Sequence, residues 1–481
     1  MTGRGNGETS IVWFRRDLRL HDLPALAEAA GSGNVLPCFI FDERLLGGAR
    51  FVSPTRVRFM LGCLSDLRQS LRDRGSELVL RRGSPESLMV DLASACNATH
   101  VHWTRDVSPW SLWRDRRVET SLADAGIGHT AHPGAYVVDD PGSILSAKGT
   151  PYTVYSPFYK TWLEVERREL EDPPDAITTP GGIDPGELPS LEELGFEGKA
   201  AGTAFEAGET AAREAARSYL NVGLSGYAES RNSPSGGSSR LSPYIRWGCL
   251  SPLELEFKLG LRDGEGPRVF RKELAWREFY ASVLGNFPEV AALEFQERYR
   301  GTLEWHSDEK LLDAWKQGRT GYPLVDAGMR ELLNDGWMHN RVRMVVASFL
   351  TKDLHLDWRE GEKWFMERLV DGDMASNNGG WQWVTSVGTD PAPYFQRMFN
   401  PMTQQERFDP KGEYVRRWVP ELRRFSDEHL VRPWLADDEE QERCRCVIGS
   451  DYPAPIVDHA EERRLAIERY RAAAGPPAGL T

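Results

Sequence analysis

The rhythm of apolar positions changes about a third of the way along the chain. Over roughly the first 130 residues, compact apolar runs (SIVWFRRDL, VLPCFIF, ELVLRRG, THVHW) alternate with stretches of helical periodicity. PTRVRFMLGCLSDLRQSLRDRG places Val57, Leu61, Leu64 and Leu71 toward one face, with Gly75 as a stop. SPESLMVDLASA opens with Ser84 as an N-cap and Pro85 at the first helical position. The alternation predicts an α/β domain over residues 8–135, a doubly wound parallel sheet of Rossmann-like type. No G-x-G-x-x-G follows the first strand, which argues against a dinucleotide at that turn. Beyond residue 136 the pattern loosens, and a long linker is expected over 136–209. From residue 210 to about 475 amphipathic helical segments dominate, predicting a large all-α domain without a fixed-period repeat.

Composition changes this picture little. At 481 residues, 40% hydrophobic and 27% charged, the chain has an ordinary globular balance and ample material for a core. There is no run of about 18 apolar residues, so no membrane span is expected. MTGRGNGETSIVWFRRD lacks a secretory apolar region, and the six cysteines show no zinc-knuckle spacing. A reduced, cytoplasmic, monomeric protein with no metal is the expectation. The net charge of −13 argues weakly against a nucleic-acid partner. Yet residues 167–214 alone hold twelve acidic against four basic side chains, so the global sign does not decide the partner.

Nine of the 16 tryptophans fall between Trp247 and Trp383, so the helical domain is the place to look for an aromatic ligand. In KELAWREFY, residues Glu273, Trp276, Arg277 and Tyr280 share one helical face. A surface salt bridge explains that mixture, as does a cavity wall in which Trp stacks on a planar ligand. WMHNRVRMVVASF puts Asn340, Arg343 and Met344 together, with a polarizable thioether suited to an aromatic partner. SPSGGSSRLSPY is a hydroxyl-rich loop able to wrap a phosphate, though not a P-loop. DGDMASNNGGWQW fails as an EF-hand, because Ser376 and Gln382 stand where Gly and Glu are needed. An acid–base pair of Asp371 and Asp373 has no adjacent His or nucleophile to complete it. A polar rim around a heteroaromatic ring, flavin-like or nucleotide, fits these residues better. In it Asn377 donates and accepts, and Gly379–Gly380 admit close backbone approach.

These words, with IVWFRRDLRLHD, SSRLSPYIRWG, GYPLVDAGMREL, DWREGEKWF, FNP and YPAPIVDH, run in order along nearly the whole chain. Together they resemble the photolyase–cryptochrome family, and within it the class I cyclobutane pyrimidine dimer photolyases. The resemblance implies FAD in a U-shape in the helical domain. It places Tyr227, Ser238, Ser239, Arg240, Leu241 and Ser242 around the phosphates; Ser238 stands where relatives often carry Thr. Arg343 would pair with Asp371, Asp373 would contact the flavin or adenosine side, and Asn377 would face flavin N5. Glu273, Trp276, Arg277, Asn340, Met344 and Trp383 would line a pocket for the dimer. Trp305, Trp358 and Trp381 match the family's electron-transfer chain.

The implied activity is blue-light-driven electron transfer from reduced FAD, which splits pyrimidine dimers in UV-damaged DNA. Arg341, Arg397 and Lys352 are the residues expected at backbone phosphates. In the α/β domain, WTRDVSPWSLWRDRRV resembles a deazaflavin-binding segment, with Asp106 a contact; 8-hydroxy-deazaflavin, methenyltetrahydrofolate or no antenna all stay open. The alternative is a cryptochrome-type photoreceptor without repair. Asn377, Met344, Trp383 and the mere 22 residues after His459 argue against it. A flavin oxidoreductase using NAD is disfavoured by the missing glycine fingerprint.

Overall fold

The computed structural model describes residues 8–47, 51–196, 204–390 and 393–474. These form two compact units: residues 8–196, 204–225 and 239–288 in one, and 226–238 and 289–474 in the other.

The first unit is built on five parallel strands, β1 Glu8–Phe14, β2 Gly33–Phe41, β3 Val79–Arg82, β4 His100–Thr104 and β5 Gly128–His132. Their order, β3-β2-β1-β4-β5, reverses at β1 as a doubly wound sheet requires. Helices α1 Pro24–Ser32, α2 Pro54–Arg72, α3 Pro85–Cys96 and α4 Pro109–Asp124 make the crossovers, and each begins with proline, whose missing N–H costs nothing there. Ser53 caps α2 through its hydroxyl. Ser84 does occupy the N-cap of α3, but its hydroxyl goes to Glu86. On one sheet face Ile11, Trp13, Leu36, Ile40, Val101 and Trp103 pack on Met89, Leu92, Val118 and Leu122. The other face of β4 and β5 is polar. His100, His102 and His132 lie in a row there; burial pushes all three below the ordinary histidine value, and His100 and His132 beside it help take His102 to about 3.

The linker expected over 136–209 is packed in its first part, while the acidic stretch from 167 stays largely exposed or half-buried. Tyr136, Val137, Val138, Phe158, Trp162 and Ile177 are buried. Helix α5, Tyr155–Glu164, crosses the connector; α6 Glu209–Val222, α7 Pro252–Gly260 and α8 Glu265–Asn286 complete the unit. The tie is Glu278, fully buried on α8, which accepts from the N–H groups of Val137 and Val138 and from Trp162 Nε1 at 2.7 Å. Desolvation raises its carboxyl above the usual range. Composition suggested a loop because Pro, Gly and Glu dominate; a few aromatic anchors outweigh them. Residues 197–203 of the connector, and the tail beyond Ala474, lie outside the described residues.

The second unit is helical as expected. Its principal helices are α9 Pro323–Asp335, α10 Asn340–Ser348, α11 Trp358–Arg368, α12 Met374–Thr385 and α13 His459–Ala474. Their core joins Trp315, Phe349, Trp358, Phe365, Trp381 and Tyr470. The words GYPLVD and YPAPIVDH form a clasp. Asp326 accepts from Thr320 N, Thr320 Oγ1, Gly321 N and Tyr452 OH, and Tyr322 OH donates to the Val457 carbonyl. Gly321, at φ +80°, could hold no side chain, since a Cβ would stand 2.5 Å from the Ala454 backbone. No described helix is long and apolar enough to cross a membrane.

Candidate active site

Helix α12 starts where Asp373, with extended backbone, accepts from Ser376 N at 3.0 Å. Its faces differ sharply. Asn378 and Gln382 are buried and form a ladder: Asn378 Nδ2 donates to Glu362 Oε1, and Gln382 Nε2 donates to Asn378 Oδ1 and to the carbonyls of Val290 and Leu293. The neighbouring face, Asp373, Ser376, Asn377, Gly379, Gly380 and Trp383, is half-buried throughout. A Cβ on Gly380 would meet nothing within 4 Å, and the Trp381 and Trp383 indole N–H groups are buried without partners among the described residues. A face that is neither packed nor solvated, with open space at its glycine, suits a planar heteroaromatic guest.

Two expected features meet here. Arg343, on α10, donates through Nη2 to both oxygens of Asp371 at 3.1 and 2.8 Å, while its Nε goes to the Met338 carbonyl. Asn377 Nδ2 donates to the Glu362 carbonyl at 3.0 Å, which fixes the amide plane and turns Oδ1 away as an acceptor. Met344 is half-buried and Asn340 exposed. Arg341 contacts Asn232 Oδ1 at 2.7 Å and lies over Phe408. The helix carrying these residues is capped by His339, whose Nδ1 accepts from Arg341 N. Burial, then Arg343 and Arg341, push that imidazole down to about 4.

The three tryptophans distant in sequence belong to one helical unit and follow a gradient of exposure. Trp381 and Trp358 are buried, and Trp305 is half-buried. The Trp381 ring lies against Gly361, one turn after Trp358, where a Cβ would stand 2.1 Å from it. His306 N donates to the His355 carbonyl, so the segment holding Trp305 runs beside the approach to Trp358. Trp358 Nε1 donates to buried Glu294 at 3.2 Å; the other Glu294 oxygen pairs with Arg359, whose guanidinium covers the Trp358 ring at 4.7 Å. Glu294 carried no signal in the sequence.

Two cations depart from expectation. Lys352 is 1% exposed, in a π-helical turn, and donates to the carbonyls of Val384 and Arg397 and to Ser386 Oγ. Burial, and Arg397 beside it, push its ammonium well below the usual lysine value. Arg397 is equally buried, stacked 4.0 Å over Trp383 and bonded to Asp390 and the Trp383 carbonyl. Both brace the C-terminal end of α12 and present nothing to a phosphate.

In the first unit, Glu273, Trp276, Arg277 and Tyr280 do share one half-buried face of α8. Trp276 is stacked on Tyr155, with centroids 3.7 Å apart and planes within 6°, and Arg277 donates to the Ala135 carbonyl over the Tyr136 ring. Tyr155 was missed, although YTVYSPFYKTW is visibly aromatic within the connector. In the 233–244 loop, Gly237 (φ +81°) and Arg240 (φ +52°) make the turn, Leu241 is core, and its N–H goes to Ser239 Oγ. Tyr227 opens a four-residue helical turn, and Ser242 begins another short helix. Asp106 is held well below the usual carboxylate range despite burial; Arg16 and the Ser108 N–H use its oxygens, as does the Ser111 hydroxyl.

Residues 270–472 match the FAD binding domain of DNA photolyase, and residues 10–177 match DNA photolyase. This chain belongs to the DNA photolyase family. It is 39% identical over 482 residues to the deoxyribodipyrimidine photo-lyase of Alkalihalophilus pseudofirmus, covering 97% of this chain and 99% of that one. Among solved structures, a bacterial class III photolyase from Agrobacterium tumefaciens superposes with a TM-score of 0.91 at 36% identity, covering 98% and 99% of the two chains. A Synechocystis cryptochrome superposes with a TM-score of 0.89 at 30% identity, covering 97% and 100%.

Proposed function

We propose that this chain is a deoxyribodipyrimidine photo-lyase that splits cyclobutane pyrimidine dimers in UV-damaged DNA. The observation that carries the reading is the half-buried face of α12, with its fixed Asn377 amide and adjoining Arg343–Asp371 pair, in a chain 39% identical to an enzyme of that name. When bound, FAD supplies the light-absorbing electron donor. The protein's part is to hold, orient and exclude water.

Arg343 and Asp371 form a charge-assisted pair that sets the polar rim beside the isoalloxazine. Asn377, its amide fixed by the Glu362 carbonyl, would offer Oδ1 toward flavin N5 without adding a negative charge. Asp373 would contact the flavin or adenosine side. Tyr227, Ser238, Ser239, Arg240 and Ser242 would serve the phosphates, and Leu241, a core residue whose N–H is held by Ser239 Oγ, anchors the turn. Trp276, clamped by Tyr155 in the first unit, is a rigid aromatic plate suited to stacking a base; in the second unit Trp383 is clamped by Arg397 in the same way. Extrusion costs about a few kcal/mol and least at damaged sites, a behaviour already known of photolyases as base-flipping enzymes. Arg341 is the cation left to follow the DNA backbone. Asp106 is engaged internally by Arg16, Ser108 and Ser111, so any antenna pigment in the α/β unit would need other groups.

The test is spectroscopic and catalytic. Purified protein shows flavin absorption and removes thymine dimers from irradiated single-stranded DNA only in blue light. Flavin photoreduction without dimer loss overturns the repair reading.

A further inference from the structure

The sheet face under α1 holds a feature that repair does not use. His100 and His102 on β4 and His132 on β5 point to one side, with successive ring centroids 4.6 and 5.1 Å apart. His102 and His132 are 3% and 5% exposed. Parallel sheets of this kind bury continuous apolar runs on both faces, so a row of imidazoles is costly unless it has a task. The row is also tightly accommodated: a Cβ at Gly128 would stand 2.4 Å from His100 Nδ1, and His100 Nε2 is fixed by Thr130 Oγ1 at 2.8 Å.

We propose that His102, His132 and Glu28 form a binding site for a late first-row divalent ion of the Ni²⁺ and Cu²⁺ type. One nitrogen of each imidazole and one carboxylate oxygen lie within 4.8 Å of one another. His102 Nδ1 and His132 Nε2 are 2.9 Å apart. Two nitrogens at that spacing subtend about 90° at an ion about 2.0–2.1 Å from each, the angle of octahedral or tetragonal coordination; a tetrahedral ion needs a wider pair. Glu28 Oε2 stands 3.7 Å from His132 Nδ1 on an exposed side chain. There it orients the ring as an outer carboxylate or swings in as a third ligand. An ion needs the lone pairs of both facing nitrogens, so the proton of the His102–His132 hydrogen bond moves to an outer nitrogen, such as His132 Nδ1 facing Glu28, as the ion binds. The pairing is invisible in the sequence, because the histidines acquire metal-ligand proximity only when β4 and β5 come into register.

The test uses tag-free, flavin-loaded protein freed of metal with EDTA and titrated calorimetrically with NiCl₂, with Cu²⁺ electron paramagnetic resonance as the second readout. One equivalent binds; Glu28→Gln, a surface change that keeps the fold, weakens it about tenfold; His132→Gln abolishes it. His129→Ala, on the opposite sheet face, leaves it unchanged. The Cu²⁺ spectrum carries hyperfine coupling to two nitrogens. Absence of stoichiometric binding, binding indifferent to both variants, or a spectrum without two-nitrogen coupling overturns the site. A hydrogen-bonded imidazole pair alone then explains the row.

Discussion

At the scale of single residues, the environment of Trp358 bears most directly on electron flow. Its indole N–H donates to a buried carboxylate, while that of Trp381 has no partner among the described residues. A negative charge hydrogen-bonded to an aromatic N–H makes the ring easier to oxidise. If the tryptophans carry the electron, Glu294 favours a vacancy on Trp358 and the Arg359 guanidinium over that ring opposes it, so removing the carboxylate leaves the opposing charge alone. Glu294→Gln keeps the size but removes the charge, and it should slow flavin photoreduction several-fold under steady blue light. Repair by pre-reduced enzyme should change less than twofold, because that reaction does not draw on the tryptophans. Equal photoreduction in both proteins would remove Glu294 from the scheme. Trp276 gives a second residue-scale prediction. Stacking of a base on an aromatic plate contributes about 1–3 kcal/mol. Trp276→Ala should weaken binding of a dimer-containing oligonucleotide by roughly ten- to a hundredfold. Trp276→Phe should recover much of it, as fluorescence anisotropy can show.

At the scale of elements, α10 depends on an unusual cap. His339 accepts from Arg341 N only while its Nδ1 is unprotonated, and its value is depressed to about 4 in the fold. A histidine depressed below its unfolded value stabilises fully above about pH 6.5, and that stability is lost as pH falls toward the folded value. Between those limits the parent should lose up to about 1.4 kcal/mol per pH unit relative to His339→Asn, which keeps a capping acceptor and does not titrate. Denaturant unfolding of both proteins from pH 7 to 4.5 measures this; parallel pH profiles would refute it. The β1 run SIVWF and the α8 face of Glu273, Trp276 and Arg277 were legible in the sequence, because periodicity reports directly which side of an element is buried. The roles of Lys352 and Arg397 were not. Where a long cationic side chain ends is decided by acceptors from other elements, here the α12 carbonyls. Position in a motif is silent on that. The first part of the connector was misread for a related reason: Trp162 is buried against partners that include Glu278, over a hundred residues later, which receives its N–H.

At the scale of the whole molecule, the question is how a chain of net charge −13 holds a polyanion. The salt dependence of DNA binding counts counterions released where cations meet phosphates, with a slope of about −0.9 per neutralised phosphate. Acidic groups away from the contact alter the long-range potential, which salt screens within about 10 Å at 0.1 M. The acidity of residues 167–214 lies mostly on exposed connector positions such as Glu187, Glu192 and Glu193. Exchanging these three for Gln should therefore raise dimer affinity at low ionic strength, two- to fivefold at most, and leave the slope within one unit of the parent. Arg341→Gln should do the reverse, lowering affinity and making the slope shallower by about one. The two variants thus separate remote charge from contact charge. If the connector variant changed the slope by more than one unit, the acidic segment would lie against the DNA, and Arg341 would lose its place as the contact cation.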